Sequence, residues 1–284
     1  MISRADPSRP GVIRALRGLL VATAAATVGV ELLNLWYAPE HGFGLAVRTG
    51  WALLRTVGWL VLIWHVGRGR AAARPLGLIL AVTTVFAVGR LVVPRTGAPP
   101  LAGVLGFAML TALCVTVVVL LYRHPVVGDH LTRHPNKLTV TRAGLEWREA
   151  VPKRPPVAAW ALTARIAAFT YSPLMLVPAL ISVGELGSRP EWLLAVGFWF
   201  VAGIGTSYAV LLSTFFLLRG KPWAPRLLVW VTLGVLAVDL PLCRLLLGLD
   251  GLIRDGVPLI AAAMLVLYSL WRVARTPAPT VAPA

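Results

Sequence analysis

Three long stretches without a charged residue constrain the fold of this chain more than any other feature. They lie between Arg95 and Arg123, between Arg165 and Glu185, and between Glu191 and Arg219. An α-helix needs about 20 apolar residues to cross the hydrocarbon core of a bilayer. Each stretch is therefore long enough to be a membrane-spanning helix.

The composition extends this interpretation to the whole chain. Of the 284 residues, 58% are hydrophobic and only 13% are charged. A soluble globular domain has a charged fraction of about 25%, and an intrinsically disordered chain has low hydrophobicity. Both classes are excluded, so the sequence predicts an all-α polytopic membrane protein.

Eight membrane-spanning helices are predicted when apolar stretches interrupted by single charges are included. Their bounds are 16–37, 46–66, 76–93, 101–122, 160–184, 193–217, 227–247 and 256–273. The two cysteines, Cys114 and Cys243, fall within these helices. No disulfide framework or CxxC motif is present.

The basic residues predict the orientation of the chain. Lys and Arg outnumber Asp and Glu by 27 to 11. If the N-terminus lies in the cytoplasm, 20 of these 27 basic residues fall in the five cytoplasmic segments, as the positive-inside rule requires. We therefore expect both termini in the cytoplasm and no nucleic-acid partner. The excess of Arg over Lys, with abundant Ala, Gly and Pro, suggests GC-rich coding and a bacterial plasma membrane.

A weak internal repeat divides the chain into two halves. At an offset of 151 residues, Arg14 aligns with Arg165, and Arg68-Gly69 aligns with Arg219-Gly220. The sequence thus predicts two tandem four-helix repeats, which share one orientation because each has an even number of spans. The predicted domains are a cytoplasmic N-terminal tail, a first repeat, a basic linker, a second repeat and a disordered tail, at 1–12, 13–122, 123–157, 158–275 and 276–284.

The linker carries its own pattern. Polar and apolar residues alternate over 136–148 around Gly144, which predicts a β-hairpin resting on helix ends or lipid headgroups. His130 and His134 have the spacing of two metal ligands on one helix face, but Pro135 interrupts such a helix. No nucleotide, haem or metal motif is present, so we expect no cofactor.

Four charged residues fall inside predicted spans and are the candidate binding residues: Glu31, Arg55, Arg90 and Asp239. By helical rise, all four lie in the outer half of the bilayer. A charge at the bilayer centre costs about 2.5–3.5 kcal/mol on insertion scales, so these side chains should face the protein interior. We predict a Glu31–Arg55 contact, direct or through one water, with Asp239 available to Arg90 across the interface between the halves.

Three classes of function fit these features. The first is a small transporter or lipid- or solute-handling permease, whose outer charged site binds an anionic lipid or a small anionic ligand. The second is a structural or accessory membrane subunit with protein partners that the sequence does not identify. The third is an integral-membrane enzyme, such as a terpene cyclase or prenyl-substrate enzyme, using Glu31 or Asp239 as the acid.

Overall fold

The computed structural model describes residues 9–38, 42–92, 99–132, 136–141, 144–149 and 159–275. Within these ranges, the side chains of residues 9, 10, 90, 132, 136–149 and 250 are outside the description. The predicted N-terminal tail, except for its last residues, and the predicted C-terminal tail also lie outside the described residues.

Helices account for nearly all of the described chain. Ten α-helices are present in this part: α1 (Arg9–Trp36), α2 (Phe43–Gly67), α3 (Ala73–Val88), α4 (Leu101–Arg123), α5 (Pro125–Thr132), α6 (Ala159–Phe169), α7 (Tyr171–Val183), α8 (Leu193–Leu218), α9 (Ala224–Gly251) and α10 (Val257–Arg275). Short 3-10 turns cover Gly89–Leu91 and Pro190–Trp192, and a π-helical turn covers Leu252–Gly256.

Seven helical segments in the described chain are long and apolar enough to cross a membrane, with α6 and α7 together forming one of them. The all-α polytopic fold is therefore confirmed, with seven candidate spans rather than the predicted eight. The predicted span at 76–93 corresponds to α3, which has only 16 residues. A helix of this length rises about 24 Å, less than the roughly 30 Å of the hydrocarbon core.

The chain divides into two compact units, residues 1–156 and 157–284. In the first unit, α1 packs on α2, α2 on α3, α3 on α4 and α4 on α1, so the four helices close into a bundle. The bundle core contains Leu20, Trp59, Leu62, Leu110 and Leu121, each fully buried. These large side chains fill the space between the four helices and hold the bundle together.

Contacts at both ends of α3 and α4 fix the register of this helix pair. Near one end, Arg74 Nε donates a hydrogen bond to the carbonyl oxygen of Leu121 at 3.1 Å. Near the other, a Cβ at Gly103 would lie 3.3 Å from the carbonyl oxygen of Leu91. The segment from Arg74 to Leu91 therefore runs antiparallel to nearly the full length of α4.

The linker begins with a helix that packs on the four-helix bundle of the first unit. His130, on α5, has its Nε2 atom 2.8 Å from the carbonyl oxygen of Val66, at the end of α2. The alternating segment that follows contains two antiparallel strands, β1 (Asn136–Thr141) and β2 (Gly144–Glu149). His134, the second residue of the histidine pair, lies outside the described residues.

The second unit pairs its helices in the same cyclic order. The α6–α7 segment packs on α8 and α10, while α9 packs on both α8 and α10. The first span is interrupted at Thr170, because Pro173 has no N–H to donate to the carbonyl oxygen of Phe169. The backbone of α9 is non-helical at Gly248, whose φ is 70°, a conformation that glycine adopts without steric cost.

Candidate functional site

A stripe of buried polar residues runs along α1 and includes the first predicted site residue. Thr23, Thr27, Glu31 and Asn34 are each less than 9% exposed, and their spacing of three or four residues places them on one face. The Oε1 atom of Glu31 accepts a hydrogen bond from Thr49 Oγ1 at 3.1 Å, and its Oε2 atom accepts one from Asn34 Nδ2 at 3.1 Å. Glu31 thereby links α1 to α2.

Arg55 lies in the same bundle, farther along α2 than Thr49. It is 5% exposed and belongs to the buried face of α2 together with Ala52 and Trp59. It follows Thr49 by six residues, or about 9 Å of helical rise. The structure thus places Glu31 and Arg55 in the interior of one unit on two packed helices, and the direct or water-mediated contact between them stays a prediction.

Sequence reasoning missed two further buried polar groups in this unit. The indole N–H of Trp59 and the hydroxyl of Thr84, both on fully buried side chains, have no hydrogen-bond partner in the described part of the chain. Trp59 lies four residues after Arg55, so its position on the same helix face could be read from the sequence. Thr84 gave no such signal, because its location depends on the packing of α3.

Asp239 is enclosed within the second unit. Its side chain is 0% exposed. Its Oδ1 atom accepts a hydrogen bond from Trp199 Nε1 at 2.9 Å, and its Oδ2 atom lies 3.6 Å from Cys243 Sγ. Trp199 is on α8, so this contact joins α8 to α9. The predicted contact of Asp239 with Arg90 stays a prediction, because the side chain of Arg90 lies outside the described residues.

An ion pair in this unit, between Arg254 and Asp255, was not predicted. Arg254 and Asp255 occupy the π-helical turn before α10, with Arg254 Nη2 2.7 Å from Asp255 Oδ2. Their side chains are 8% and 13% exposed. Neighbouring opposite charges at the start of the last span were the available sequence signal, but the burial of the pair follows from the turn itself.

The described residues were compared with the requirements of a metal site. They contain no group of three or more His, Cys, Asp or Glu side chains able to hold a metal ion. No protein-family model, curated protein or solved structure matches this chain. The geometry of the buried polar groups is therefore the basis for a functional proposal.

Proposed function

We propose that this membrane protein is a small permease that handles a lipid or a solute in a bacterial plasma membrane. Its candidate binding residues are Glu31, Arg55, Arg90 and Asp239, and its ligand is an anionic lipid or a small anion. The observation that carries the proposal is the burial of Glu31 and Arg55 inside one bundle of apolar helices. Ionisable residues inside membrane helices are costly and commonly mark ligand or ion pathways.

The contacts of α3 support eight crossings. Arg74 contacts Leu121 at one end of α4, and Leu91 lies against Gly103 near the other end. These two residues of α4 are 18 positions apart, which corresponds to about 27 Å of helical rise. The helix α3 together with the 3-10 turn after it thus extends along a candidate span over almost the thickness of the hydrocarbon core.

Two matching turns support the tandem repeat. After α2, the amide of Gly69 donates to the carbonyl of Val66, and after α8 the amide of Gly220 donates to that of Leu217. Both glycines have positive φ, 65° and 70°. An arginine also stacks on an aromatic ring at both turns, Arg68 on Trp64 and Arg219 on Phe215. All of these pairs have the offset of 151 residues found in the sequence.

The repeat makes a prediction about the three-dimensional structure of both units. Residues 12–122 should superpose on residues 163–273 as four-helix bundles of the same connectivity. An experimental structure tests this, and unrelated helix packing in the two halves would reject the duplication.

The proposed orientation places both termini in the cytoplasm. In a variant lacking Cys114 and Cys243, a single cysteine at Gly42 should react with a membrane-impermeant maleimide from outside the cell. A single cysteine at Leu145 should react only after the membrane is opened. Labelling of position 42 only from the cytoplasmic side would contradict the proposed orientation.

Transport itself is tested in vesicles. Purified protein reconstituted into phosphatidylethanolamine–phosphatidylglycerol vesicles should accelerate either the exchange of fluorescent phosphatidylglycerol between leaflets or the uptake of radiolabelled chloride, nitrate or phosphate. Arg55→Gln should remove that acceleration, because it neutralises the buried cation. Arg123→Gln, an exposed position at the end of α4, is the matched control and should retain it. Protein-containing vesicles that match empty vesicles in every assay would contradict the permease.

One observation favours an accessory or structural subunit as a second candidate. Asp239 is fully buried, and its two carboxylate oxygens contact Trp199 and Cys243 inside the same unit. Such an enclosed carboxylate fixes helix packing without reaching a ligand. Retention of flux in Asp239→Asn would assign Asp239 to packing, while absence of flux in the wild type would favour the subunit over the permease.

A further inference from the structure

Helix register brings polar side chains from three helices to one level of the first bundle. On α2 and α3, Gly58 lies against Leu80, and Gly77 lies against Leu62. Because the two helices are antiparallel, a step of one turn toward the start of α2 is a step of one turn toward the end of α3. Thr84, one turn beyond Leu80, therefore lies at the level of Arg55.

The register of α1 adds a third residue. Thr49 of α2 contacts Glu31 of α1. Thr27 precedes Glu31 by one turn on the same face, so it lies at the level of residue 53 of α2, within one turn of Arg55. Thr27, Arg55 and Thr84 are termed the central polar layer below. All three are buried, with exposed fractions of 1%, 5% and 0%.

Two hydrogen-bond donors at or within one turn of this layer have no acceptor among the described residues. The Thr84 hydroxyl and the Trp59 indole N–H are buried and without a hydrogen-bond partner in the described part of the chain. The indole N–H can only donate. Trp59 shares a helix face with Arg55 and follows it by one helical turn. Buried polar groups in native proteins are nearly always paired, so two such donors within one helical turn of the level of a buried cation point to a bound acceptor.

We infer that Arg55 and Thr84 of the central polar layer, together with Trp59, bind a small inorganic anion of the size of chloride or nitrate. Thr27 donates its hydroxyl to the carbonyl oxygen of Thr23 and only encloses the site. Arg55 supplies positive charge, and the Trp59 N–H and the Thr84 hydroxyl supply directed hydrogen bonds, which are stronger when the acceptor is charged. The enclosure of the layer favours a small anion over a bulky one. This inference deepens the proposed permease function by naming the substrate class of its site.

The neighbouring residue Thr83 provides a matched control. Thr83 is 6% exposed, but its hydroxyl already donates to the carbonyl oxygens of Ile79 and Leu80 within its own helix. Thr83→Val and Thr84→Val thus remove the same group from adjacent buried positions. The Thr84 hydroxyl has no partner in the described part of the chain and can donate to a ligand.

The test is thermal denaturation of the purified full-length protein in sodium chloride, sodium nitrate and sodium gluconate at equal ionic strength. Chloride or nitrate should raise the melting temperature over gluconate in a saturable manner. Thr84→Val and Trp59→Phe should each weaken the apparent affinity about tenfold to a hundredfold, because each removes one hydrogen bond to a charged acceptor. Thr83→Val should leave that affinity within about threefold of the wild-type value.

Three outcomes would overturn the inference. They are identical melting in all three salts, unchanged affinity in both Thr84→Val and Trp59→Phe, and an equal loss of affinity in Thr83→Val. A second measurement covers variants that fail to fold. Anomalous scattering from bromide in wild-type crystals should give a peak within hydrogen-bond distance of Trp59 Nε1 and Thr84 Oγ1, and peaks confined to the surface would count against the site.

Binding and transport fail separately in these assays. Saturable anion binding without flux would support the anion site and contradict the proposed permease function. Flux of fluorescent phosphatidylglycerol without a rise in melting temperature in chloride or nitrate would support the permease function and contradict the anion site.

Discussion

Arg55→Ala is expected to lower the free energy of unfolding by about 3–5 kcal/mol, the usual cost of removing one partner from a buried pair of charges. The acid that this change would affect is Glu31, which is buried on the adjacent helix. Replacing Glu31 and Arg55 together by leucine should recover most of the loss, since no buried charge of the predicted pair is then left unpaired. Steric trapping or reversible unfolding in detergent measures each value.

The control for this comparison of single and double variants is Arg123→Ala. Arg123 is an exposed residue at the end of α4. Its effect should stay within about 0.5 kcal/mol, as for most surface substitutions. A cost below about 1 kcal/mol for Arg55→Ala, or no recovery in the double variant, would contradict the predicted pair. A double variant that folds but has lost flux would show that the two residues serve the ligand as well as the packing.

Two buried tryptophans should respond differently to the same substitution. Trp199 and Trp59 are both 0% exposed, but only the Trp199 N–H has a hydrogen-bond partner in the described chain, the carboxylate of Asp239. Each change to Phe removes a similar volume. In anion-free buffer, Trp199→Phe should therefore destabilise the protein by about 1.5–3 kcal/mol more than Trp59→Phe, the range for a hydrogen bond to a charged group.

The pair of variants contains its own check. Combining Trp199→Phe with Asp239→Leu should recover much of the loss, because the carboxylate that needs the donor is gone. Equal costs for the two tryptophans in anion-free buffer would contradict the hydrogen-bond assignment. Addition of chloride should narrow the difference between the two costs, because it stabilises the wild type and Trp199→Phe but binds Trp59→Phe more weakly.

Hydropathy and charge were sufficient to predict the membrane helices, because both depend on composition along a single segment. Glu31, Arg55 and Asp239 were predicted to be shielded for the same reason, and all three are buried. The count of spans was less secure, because α3 is short and its length relative to the bilayer depends on packing against α4. The polar partners of the charges were harder still, since Thr49 and Trp199 reach them from other helices.

Trp59 and Thr84 show where this kind of prediction stops. A tryptophan and a threonine in an apolar helix are ordinary residues, and nothing in their local sequence marks an unsatisfied donor. Their importance depends on the helix register, which small residues such as Gly58 and Gly77 set by allowing leucine side chains to approach the backbone. Register is a property of pairs of helices and has no counterpart in a single hydropathy profile.

The glycines at the two matching turns differ in how much room surrounds them. A Cβ at Gly69 would lie 2.7 Å from the carbonyl oxygen of His130, whereas a Cβ at Gly220 would meet nothing within 4 Å. At position 220 only the backbone conformation limits which residue can be accepted. At position 69 the space available for a side chain is limited as well. If the two turns descend from one ancestral turn, docking of α5 has left the first copy with fewer acceptable amino acids. Homologous sequences should accordingly vary more often at position 220 than at position 69.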